Sequence, residues 1–161
     1  MKEFQCIAAD VTLGKNVKIA RFVNLYGCSI GNNTKIGAFV EIQKNAVIGR
    51  NCKISSHTFI CSGVRISDNC FIGHGVMFIN DNYPKAVKAD NSIENDRDWA
   101  DRFVRTKIGQ NVSIGTNATI LGGISIGNYS IIGAGSVVTR CVPPGQVWAG
   151  NPARKIRAIK K

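Results

Sequence analysis

A bulky apolar residue recurs at every sixth position from Ile30 to Phe78. The leaders of these hexads are Ile30, Ile36, Ile42, Ile48, Ile54, Ile60, Ile66, Ile72 and Phe78. The fourth residue after each of the first eight leaders is small or β-branched: Thr34, Val40, Ala46, Cys52, Thr58, Val64, Cys70 and Val76. An amphipathic helix needs apolar spacings of three and four, and a half-buried strand needs strict alternation, so neither explains this period. A period of six predicts a parallel β-helix, in which each hexad supplies one short strand and one corner.

The same six-residue period extends through most of the chain. It begins with Ile7, Leu13, Ile19 and Leu25, loses one residue before Ile30, and resumes with Ile108, Ile114, Ile120, Ile126, Ile132 and Val138. Asn and Gly often follow the leaders, and these residues tolerate the positive φ of a tight corner. The residues between the two runs, 80–106, are polar and aperiodic, and we interpret them as a functional loop that leaves and rejoins one edge. Pro143 and Pro144 are predicted to stop the repeat.

This pattern resembles that of the hexapeptide-repeat acyltransferases. The resemblance implies an all-β chain folded as a left-handed parallel β-helix, in which three hexads make one triangular coil. Nineteen leaders then predict about six coils. We expect one domain over residues 1–161, with an excursion loop at 80–106 and a C-terminal tail at 143–161. In this tail Arg154, Lys155, Arg157, Lys160 and Lys161 form a basic segment.

Composition narrows the functional class. No apolar run is long enough to span a bilayer, and the N-terminal sequence MKEFQCIAADVTLG lacks a signal-peptide core, so we expect a cytoplasmic protein. A net charge of +11 could suggest nucleic-acid binding, but no motif for it appears and few aromatic residues are available for base stacking. The six cysteines are expected to be reduced packing thiols. A nucleophilic Cys28, Cys61 or Cys141 is the alternative.

With three hexads per coil, residues eighteen apart stack. Ser56 then lies beneath His74, and the column continues past the loop to Thr116 and Ala134. His57 lies beneath Gly75, so we expect His57 and His74 on neighbouring coils at one corner. The backbone amides of Gly115, Thr116, Ala134 and Gly135 are expected to be open to a long, thin ligand.

In the family that ligand is the pantetheine arm of an acyl-coenzyme A, which lies between two subunits of a trimer. The resemblance therefore implies acetyl-coenzyme A as co-substrate, a homotrimer with sites between subunits, and no metal. The residues that it implies for coenzyme binding are Gly115, Thr116, Ala134, Thr139, Arg140, Arg154, Lys155 and Arg157. Arg140 and the basic tail would supply cations for the phosphates of the coenzyme. A solvated cationic end is the alternative interpretation of the tail.

The loop narrows the subfamily. HGVMFINDNYPKA, residues 74–86, is similar to the N-D-x-Y-P-x-A segment of N-acetyltransferases that act on nucleotide-linked 3-amino sugars. The resemblance implies that Asn80 and Tyr83 contact the sugar. The related O-acetyltransferases carry a His-Pro pair in this loop with the His as base, whereas here Tyr83 precedes Pro84.

That difference favours an amine acceptor, because a deprotonated amine needs less help from a base than a hydroxyl does. We hypothesise that the amine of a dTDP- or UDP-linked amino sugar attacks the acetyl thioester. Asn80 and Asp81 would orient the amine, and His57 or His74 would accept its proton. A structural role for both His as corner residues, or the departing thiolate as the base, remains open.

Three alternatives compete with this hypothesis. The first is an O-acetyltransferase acting on a sugar or serine hydroxyl. The second is a zinc enzyme of the γ-carbonic-anhydrase type, which needs three His ligands where this chain has two, so that a cysteine would have to substitute. The third is a binding scaffold without catalysis, which would need neither the loop nor the basic tail.

Overall fold

The computed structural model of this chain describes residues 4–159. Lys160 and Lys161 of the predicted basic tail lie outside the described residues. The first strands are β1 Gln5–Ile7, β2 Thr12–Leu13, β3 Lys18–Ile19, β4 Val23–Leu25, β5 Ser29–Ile30, β6 Lys35–Ile36, β7 Glu41–Ile42, β8 Val47–Ile48, β9 Lys53–Ile54, β10 Phe59–Ile60, β11 Arg65–Ile66, β12 Phe71–Ile72 and β13 Met77–Phe78. A short helix and eight strands follow: α1 Asp96–Ala100, β14 Lys107–Ile108, β15 Ser113–Ile114, β16 Thr119–Ile120, β17 Ser125–Ile126, β18 Ile131–Ile132, β19 Val137–Val138, β20 Gln146–Gly150 and β21 Ala153–Ala158.

The strands form the three faces of a prism. Sheet A contains β1, β4, β7, β10, β13, β16 and β19, sheet B contains β2, β5, β8, β11, β14 and β17, and sheet C contains β3, β6, β9, β12, β15, β18, β20 and β21. Up to β19, consecutive strands of the chain fall in consecutive sheets, so three hexads make one coil. Six coils take one strand from each sheet. The predicted parallel β-helix of about six coils is therefore confirmed.

The hexad leaders from Leu25 onward fill the interior of the prism, whereas Leu13 of the first coil is 42% exposed. All nine from Ile30 to Phe78 are buried, and so are the eight small or β-branched residues that follow them by four. Ile54, Ile72 and Ile114 are register partners on adjacent coils of sheet C. Polar residues in the small slot are satisfied by the next coil, since Thr58 Oγ1 donates to the Gly73 carbonyl at 3.0 Å. Each coil thus packs against the next one and forms hydrogen bonds with it.

Three kinds of corner join the faces. The corner between sheets B and C carries Asn at its positive-φ position in five coils, and we call it the asparagine corner: Asn16, Asn33, Asn51, Asn69 and Asn111. The corner between sheets C and A carries Phe22, Phe39, His57 and Gly75 at that position and includes His74, and we call it the histidine corner. The corner between sheets A and B carries Gly27, Asn45, Gly63 and Gly123 there, and we call it the loop corner.

The excursion loop leaves the loop corner after β13 and returns before β14. It does not disturb the stacking, because Phe78 pairs with Ile120 and Ile66 pairs with Ile108 across it. Within the loop, α1 begins with a capping box: Asn95 Oδ1 accepts from the Arg97 and Asp98 amides, and Asp98 accepts from the Asn95 amide. This helix was not predicted. At five residues it is far too short to cross a bilayer, and residues 4–159 hold no helix with the length and apolar character to do so.

The tail closes the upper end of the prism. The repeat does stop near Pro143, but β20 then pairs in parallel with β18, and β21 turns back antiparallel to it. Trp148 and Ala153 are buried by this hairpin. The tail is therefore a cap on the last coil as well as a basic segment.

Candidate active site

The predicted column lies along the histidine corner. The amides of Gly75, Asn117 and Gly135 donate to the carbonyls of Ser56, His74 and Thr116 at 3.0, 2.8 and 2.8 Å. Each of these bonds joins one coil to the next at the same position. Ser56, His74, Thr116 and Ala134 therefore line up on a common edge, as the spacing of eighteen predicted.

His74 is held by the coil below it. Its Nδ1 lies 2.9 Å from Ser56 Oγ, and the imidazole is exposed. If Nδ1 carries the proton and donates to Ser56 Oγ, Nε2 is the unprotonated nitrogen and can accept a proton from a ligand. The contact therefore orients His74, and the tautomer protonated on Nδ1 would suit a base.

His57 lies in a different environment on the same corner. Its ring stacks on Phe39 with 4.8 Å between centroids, Phe39 stacks on Phe22 at 5.1 Å, and Phe22 stacks on Phe4 at 5.1 Å. This aromatic ladder was not predicted, although the spacing of seventeen or eighteen residues between its members was visible in the sequence. The structure thus connects His74 to Ser56, and His57 to the ladder.

Two of the four predicted backbone amides on this edge have no protein acceptor, and neither do those of Ser56 and His74 among the described residues. The predicted set of four divides in two, because the amides of Gly115 and Gly135 donate to the carbonyls of Ile132 and Thr116. The amides of Thr116 and Ala134 donate to no atom within residues 4–159. Position 115 also needs glycine for a steric reason, since a Cβ there would collide with the Ala134 backbone. Thr116 and Ala134 are thus the amides available to a carbonyl oxygen of a ligand.

The loop residues Asn80 and Asp81 anchor the excursion at its base. Asn80 Nδ2 donates to the Ser62 carbonyl at 3.3 Å, and its own carbonyl accepts from Val104 at 2.8 Å. Asp81 Oδ1 accepts from the Tyr83 amide at 2.9 Å, and Oδ2 accepts from Arg102 Nε at 2.8 Å. Tyr83 itself is 80% exposed. These contacts show that Asp81 shapes the loop; its predicted role toward an amine stays a prediction.

Ion pairs set the protonation of the loop acids. Arg102 forms two bonds of 2.8 Å with the buried Glu94 carboxylate, and these lower the pKa of Glu94. For Asp81, desolvation raises the pKa, but the hydrogen bonds from Arg102 and the Tyr83 amide outweigh it and lower the pKa overall. Both groups are therefore held in the charged form, and Arg102 joins the two ends of the loop.

The structure does not bring the loop residues to the histidines within one chain. His74 lies before β13 and Asn80 lies after it, so a full face of the prism separates the two corners. The predicted coenzyme contacts divide in the same way. Gly115, Thr116 and Ala134 lie at the histidine corner, whereas Thr139 and Arg140 follow β19 at the loop corner.

The cations of the tail lie on the terminal strand. Arg154, Lys155 and Arg157 are exposed on β21, at the edge of sheet C. Arg154 and Arg157 donate only to nearby backbone carbonyls among the described residues. Their predicted contact with a coenzyme stays a prediction.

The cysteines are free thiols in residues 4–159. Burial raises the pKa of the Cys61 thiol to about 12 and also raises the pKa of Cys28, so neither is a ready nucleophile at neutral pH. Cys141 is exposed, and its Sγ accepts from the Ser125 amide at 3.3 Å. Residues 4–159 contain no cluster of three or more His, Cys, Asp or Glu side chains arranged to hold a metal ion.

Comparisons with known proteins agree with this architecture. Residues 27–62 and 105–140 match the family described as bacterial transferase hexapeptide (six repeats). The dTDP-3-amino-3,6-dideoxy-alpha-D-galactopyranose 3-N-acetyltransferase of Aneurinibacillus thermoaerophilus is 43% identical over 133 residues, which cover 78% of this chain and 69% of that protein. The galactoside O-acetyltransferase of Escherichia coli is 54% identical over 52 residues, 32% of this chain. The chain spans only 26% of that second relative.

A solved structure extends the likeness to the whole fold. A variant of AntD, an N-acyltransferase from Bacillus cereus in complex with dTDP and coenzyme A, superposes with a TM-score of 0.77 at 25% identity, over 92% of this chain and 84% of that one. The predicted left-handed β-helix is thereby confirmed. So is the resemblance to hexapeptide-repeat acyltransferases and to N-acetyltransferases of nucleotide-linked 3-amino sugars.

Proposed function

The chain belongs to the bacterial hexapeptide transferase family, and we propose that it transfers an acetyl group from acetyl-coenzyme A to the amine of a nucleotide-linked amino sugar. The observation that carries the proposal is the 43% identity to a dTDP-3-amino sugar N-acetyltransferase over 78% of the chain. The ordered Ser56–His74 pair beside two unpaired amides supplies the matching chemistry on this chain's own residues.

The reaction needs a base, an oxyanion donor and a fixed acceptor. The amine nitrogen attacks the thioester carbonyl carbon, a C–N bond forms, and the C–S bond breaks to release the coenzyme thiolate. His74 Nε2 takes the proton from the amine and returns it to the thiolate, while Ser56 holds Nδ1. The amides of Thr116 or Ala134 stabilise the oxyanion.

The coenzyme would lie along the histidine corner. A pantetheine arm carries amide carbonyls, and one of them can accept from whichever of the Thr116 and Ala134 amides does not stabilise the oxyanion. The phosphates of the coenzyme would be held by Arg140, Arg154, Lys155 or Arg157, all of which are exposed. AntD, which shares the fold, is described with coenzyme A and dTDP bound.

A complete site requires two copies of the chain. His74 and Thr116 belong to one corner, whereas Asn80, Tyr83 and Arg140 belong to the next, with a face of the prism between them. If the histidine corner of one copy faces the loop corner of another, all the predicted residues surround one groove. The homotrimer implied by the family resemblance provides such an arrangement, and we place one site at each of its interfaces.

O-acetylation of a sugar hydroxyl is the second candidate function. It is favoured by the 54% identity to the galactoside O-acetyltransferase, although this match covers only 52 residues. The Ser56–His74 pair would serve a hydroxyl as well as an amine. The two candidates therefore differ in the acceptor and not in the base.

Release of free thiol from acetyl-coenzyme A distinguishes them. We expect kcat/KM for a dTDP-3-amino sugar to exceed that for the 3-hydroxy counterpart by at least about 100-fold, because the neutral amine is the stronger nucleophile. The same pair with UDP in place of dTDP tests the nucleotide. Faster turnover of the hydroxyl sugar would favour O-acetylation, and no turnover of any sugar nucleotide would refute both candidates.

A further inference from the structure

Sheet B carries basic side chains that belong to none of the predicted site residues. Arg65 on β11 and Lys107 on β14 are register partners, and Arg105 stands just before β14. They line a cleft of about 600 Å³ together with Gly123 and Ser125. A second cleft of about 640 Å³ shares Arg65 and Arg105 and adds Lys44 from the coil below. We call the continuous surface of Lys44, Arg65, Arg105 and Lys107 the basic cleft.

The charges of the basic cleft are not compensated within the described chain. The salt bridges of residues 4–159 use Arg50, Lys88 and Arg102, and none uses a cation of the basic cleft. No acidic residue lines either part of the cleft. Arg65 and Lys107 lie opposite each other on adjacent strands, so an anion between them would relieve the repulsion of their like charges.

Arg105 is exposed, and its aliphatic stem begins over the loop corner. The residue before it, Val104, donates its amide to the Asn80 carbonyl at 2.8 Å and packs against Gly123. The Arg105 stem passes over Gly63, where a Cβ would lie 3.6 Å from Arg105 Cγ. The returning end of the loop therefore fixes the backbone from which the Arg105 side chain extends.

A second row of like charges shows what distinguishes the basic cleft. Lys18, Lys35 and Lys53 are register partners on adjacent strands of sheet C, and all three are exposed. This row contains no arginine, and Lys53 lies over the Phe71 ring at 5.6 Å. The basic cleft instead contributes two guanidinium groups, whose donor geometry matches two phosphate oxygens at once.

The cleft adjoins the residues predicted to touch the sugar. Ser62 lines it, and the Ser62 carbonyl accepts from Asn80. Phe103, from the returning end of the loop, forms an apolar wall beside the cations. A ligand with a diphosphate between a flat ring and a sugar would find a cation, an aromatic side chain and Asn80 along one surface.

We propose that the basic cleft binds the diphosphate group of one substrate, either the nucleotide sugar or the coenzyme. The proposal rests on the proposed function only for the identity of the ligand, since nucleotide sugar and coenzyme both carry a diphosphate. The charge and the two guanidinium groups favour an anion of this class whichever substrate supplies it.

Isothermal titration with dTDP, coenzyme A and inorganic pyrophosphate tests the proposal on the intact protein. We expect the double variant Arg65→Gln with Arg105→Gln to weaken binding of one nucleotide, and of pyrophosphate, by at least about 10-fold, since it removes two charge-assisted donors to phosphate oxygens. The matched control is Lys35→Gln with Lys53→Gln, which removes the same charge from sheet C and should change affinity less than about 3-fold. Loss of dTDP alone identifies the nucleotide sugar as the source, and loss of coenzyme A alone identifies the coenzyme.

Two outcomes would overturn the proposal. One is unchanged affinity for all three probes in the cleft variant, and the other is an equal loss in the control, which would indicate unspecific attraction to net charge. Arg105→Lys, which keeps the charge, serves if the double variant unfolds, and it should weaken the same ligand by a smaller factor. A thiol-release assay distinguishes failure of the basic-cleft proposal from failure of the proposed function. Amino sugar turnover with unchanged KM in the cleft variant would refute the cleft alone, and probe binding without turnover in the wild type would refute the proposed function alone.

Discussion

The asparagine corner and the histidine corner have the same backbone but different side chains. At the asparagine corner, Asn33, Asn51 and Asn69 have φ of 60°, 56° and 61°, and their side-chain amides bond to one another from coil to coil at 3.1 and 3.0 Å. At the histidine corner, Phe39 and His57 have φ of 57° and 62°. Asn adopts this region readily, whereas for a bulky residue such as Phe it is a true outlier.

The difference separates two uses of the repeat. The asparagine corner uses residues that favour the turn and adds hydrogen bonds, so its side chains serve the fold. At the histidine corner, Phe22 and Phe39 adopt this conformation at a cost of roughly 1–2 kcal/mol each, and they belong to an exposed column of rings that ends next to the Ser56–His74 pair. Side chains there are not explained by the stability of the coil.

The largest effect should come from His74. His74→Asn keeps a group that can bond to Ser56 but removes the nitrogen that accepts a proton, so we expect kcat to fall by roughly 100-fold or more. The thermal midpoint should stay unchanged because the imidazole is exposed. Steady-state thiol release and thermal unfolding measure the two quantities.

Asn69→Gly is the matched control and should leave kcat unaltered. Asn69 lies at the asparagine corner, on the other side of β12 from His74. A His74→Asn enzyme with kcat within twofold of the wild type would leave the departing thiolate as the base. A fall in the thermal midpoint equal to that of an asparagine-corner variant would remove the distinction between the corners.

The fold was predictable because the repeat states it many times. Each strand from β5 to β18 ends on its leader, as in Lys53–Ile54 and Ser113–Ile114. The column from His74 to Thr116 survived the loop because buried leaders on both sides keep their register. Neither α1 nor the tail hairpin was predicted, since Asn95 and Trp148 act through contacts made only once in the chain.

The site was predictable in part. Spacing placed Ser56 beside His74, but the loop residues were assigned to the same site although Asn80 lies one hexad beyond His74 and hence at the next corner. Counting hexads alone could have shown this separation. The ladder below His57 could also have been found from the spacing of Phe22 and Phe39. The anchoring of Asp81 by Arg102 could not, because the two meet only when the loop folds.

A stability effect of intermediate size should come from Asn51. Asn51→Ala places alanine at a position with φ of 56°, a conformation that alanine tolerates less well than asparagine. It also removes the side-chain bonds to Asn33 and Asn69. We expect the free energy of unfolding to fall by about 1–3 kcal/mol, with kcat unchanged. Denaturant unfolding and thiol release check the two parts.

Asn51→Gly refines the measurement, since glycine accepts the conformation and loses only the side-chain bonds. It should be less destabilising than Asn51→Ala. Equal losses for both variants would mean that the hydrogen-bond ladder, and not the backbone conformation, accounts for the asparagine corner.

The smallest expected effect is a pH-dependent change at the loop corner. The loop there is held by ion pairs, whereas the asparagine corner is held by neutral hydrogen bonds. The pKa values of Asp81 and Glu94 are lowered in the folded protein, so their contribution to loop stability is complete above the ordinary values of 3.8 and 4.5. This contribution is lost as the pH falls from the ordinary pKa values through the lowered pKa values of the folded protein. Both carboxylates then take up protons and release Arg102. The emission of Trp99, which lies in α1, should shift in this window while the circular dichroism of the coils stays constant.

Two variants make this test decisive. Trp99→Phe should abolish the emission change, which assigns the signal to the loop and not to Trp148. Arg102→Gln should already show the acid emission spectrum at neutral pH, because it removes the partner of both carboxylates. If the Arg102→Gln protein still showed the full transition on acidification, another carboxylate would be responsible, such as Asp98, which pairs with Lys88. If the wild-type protein showed no emission change in this window, the loop would be held by its neutral hydrogen bonds, as the asparagine corner is.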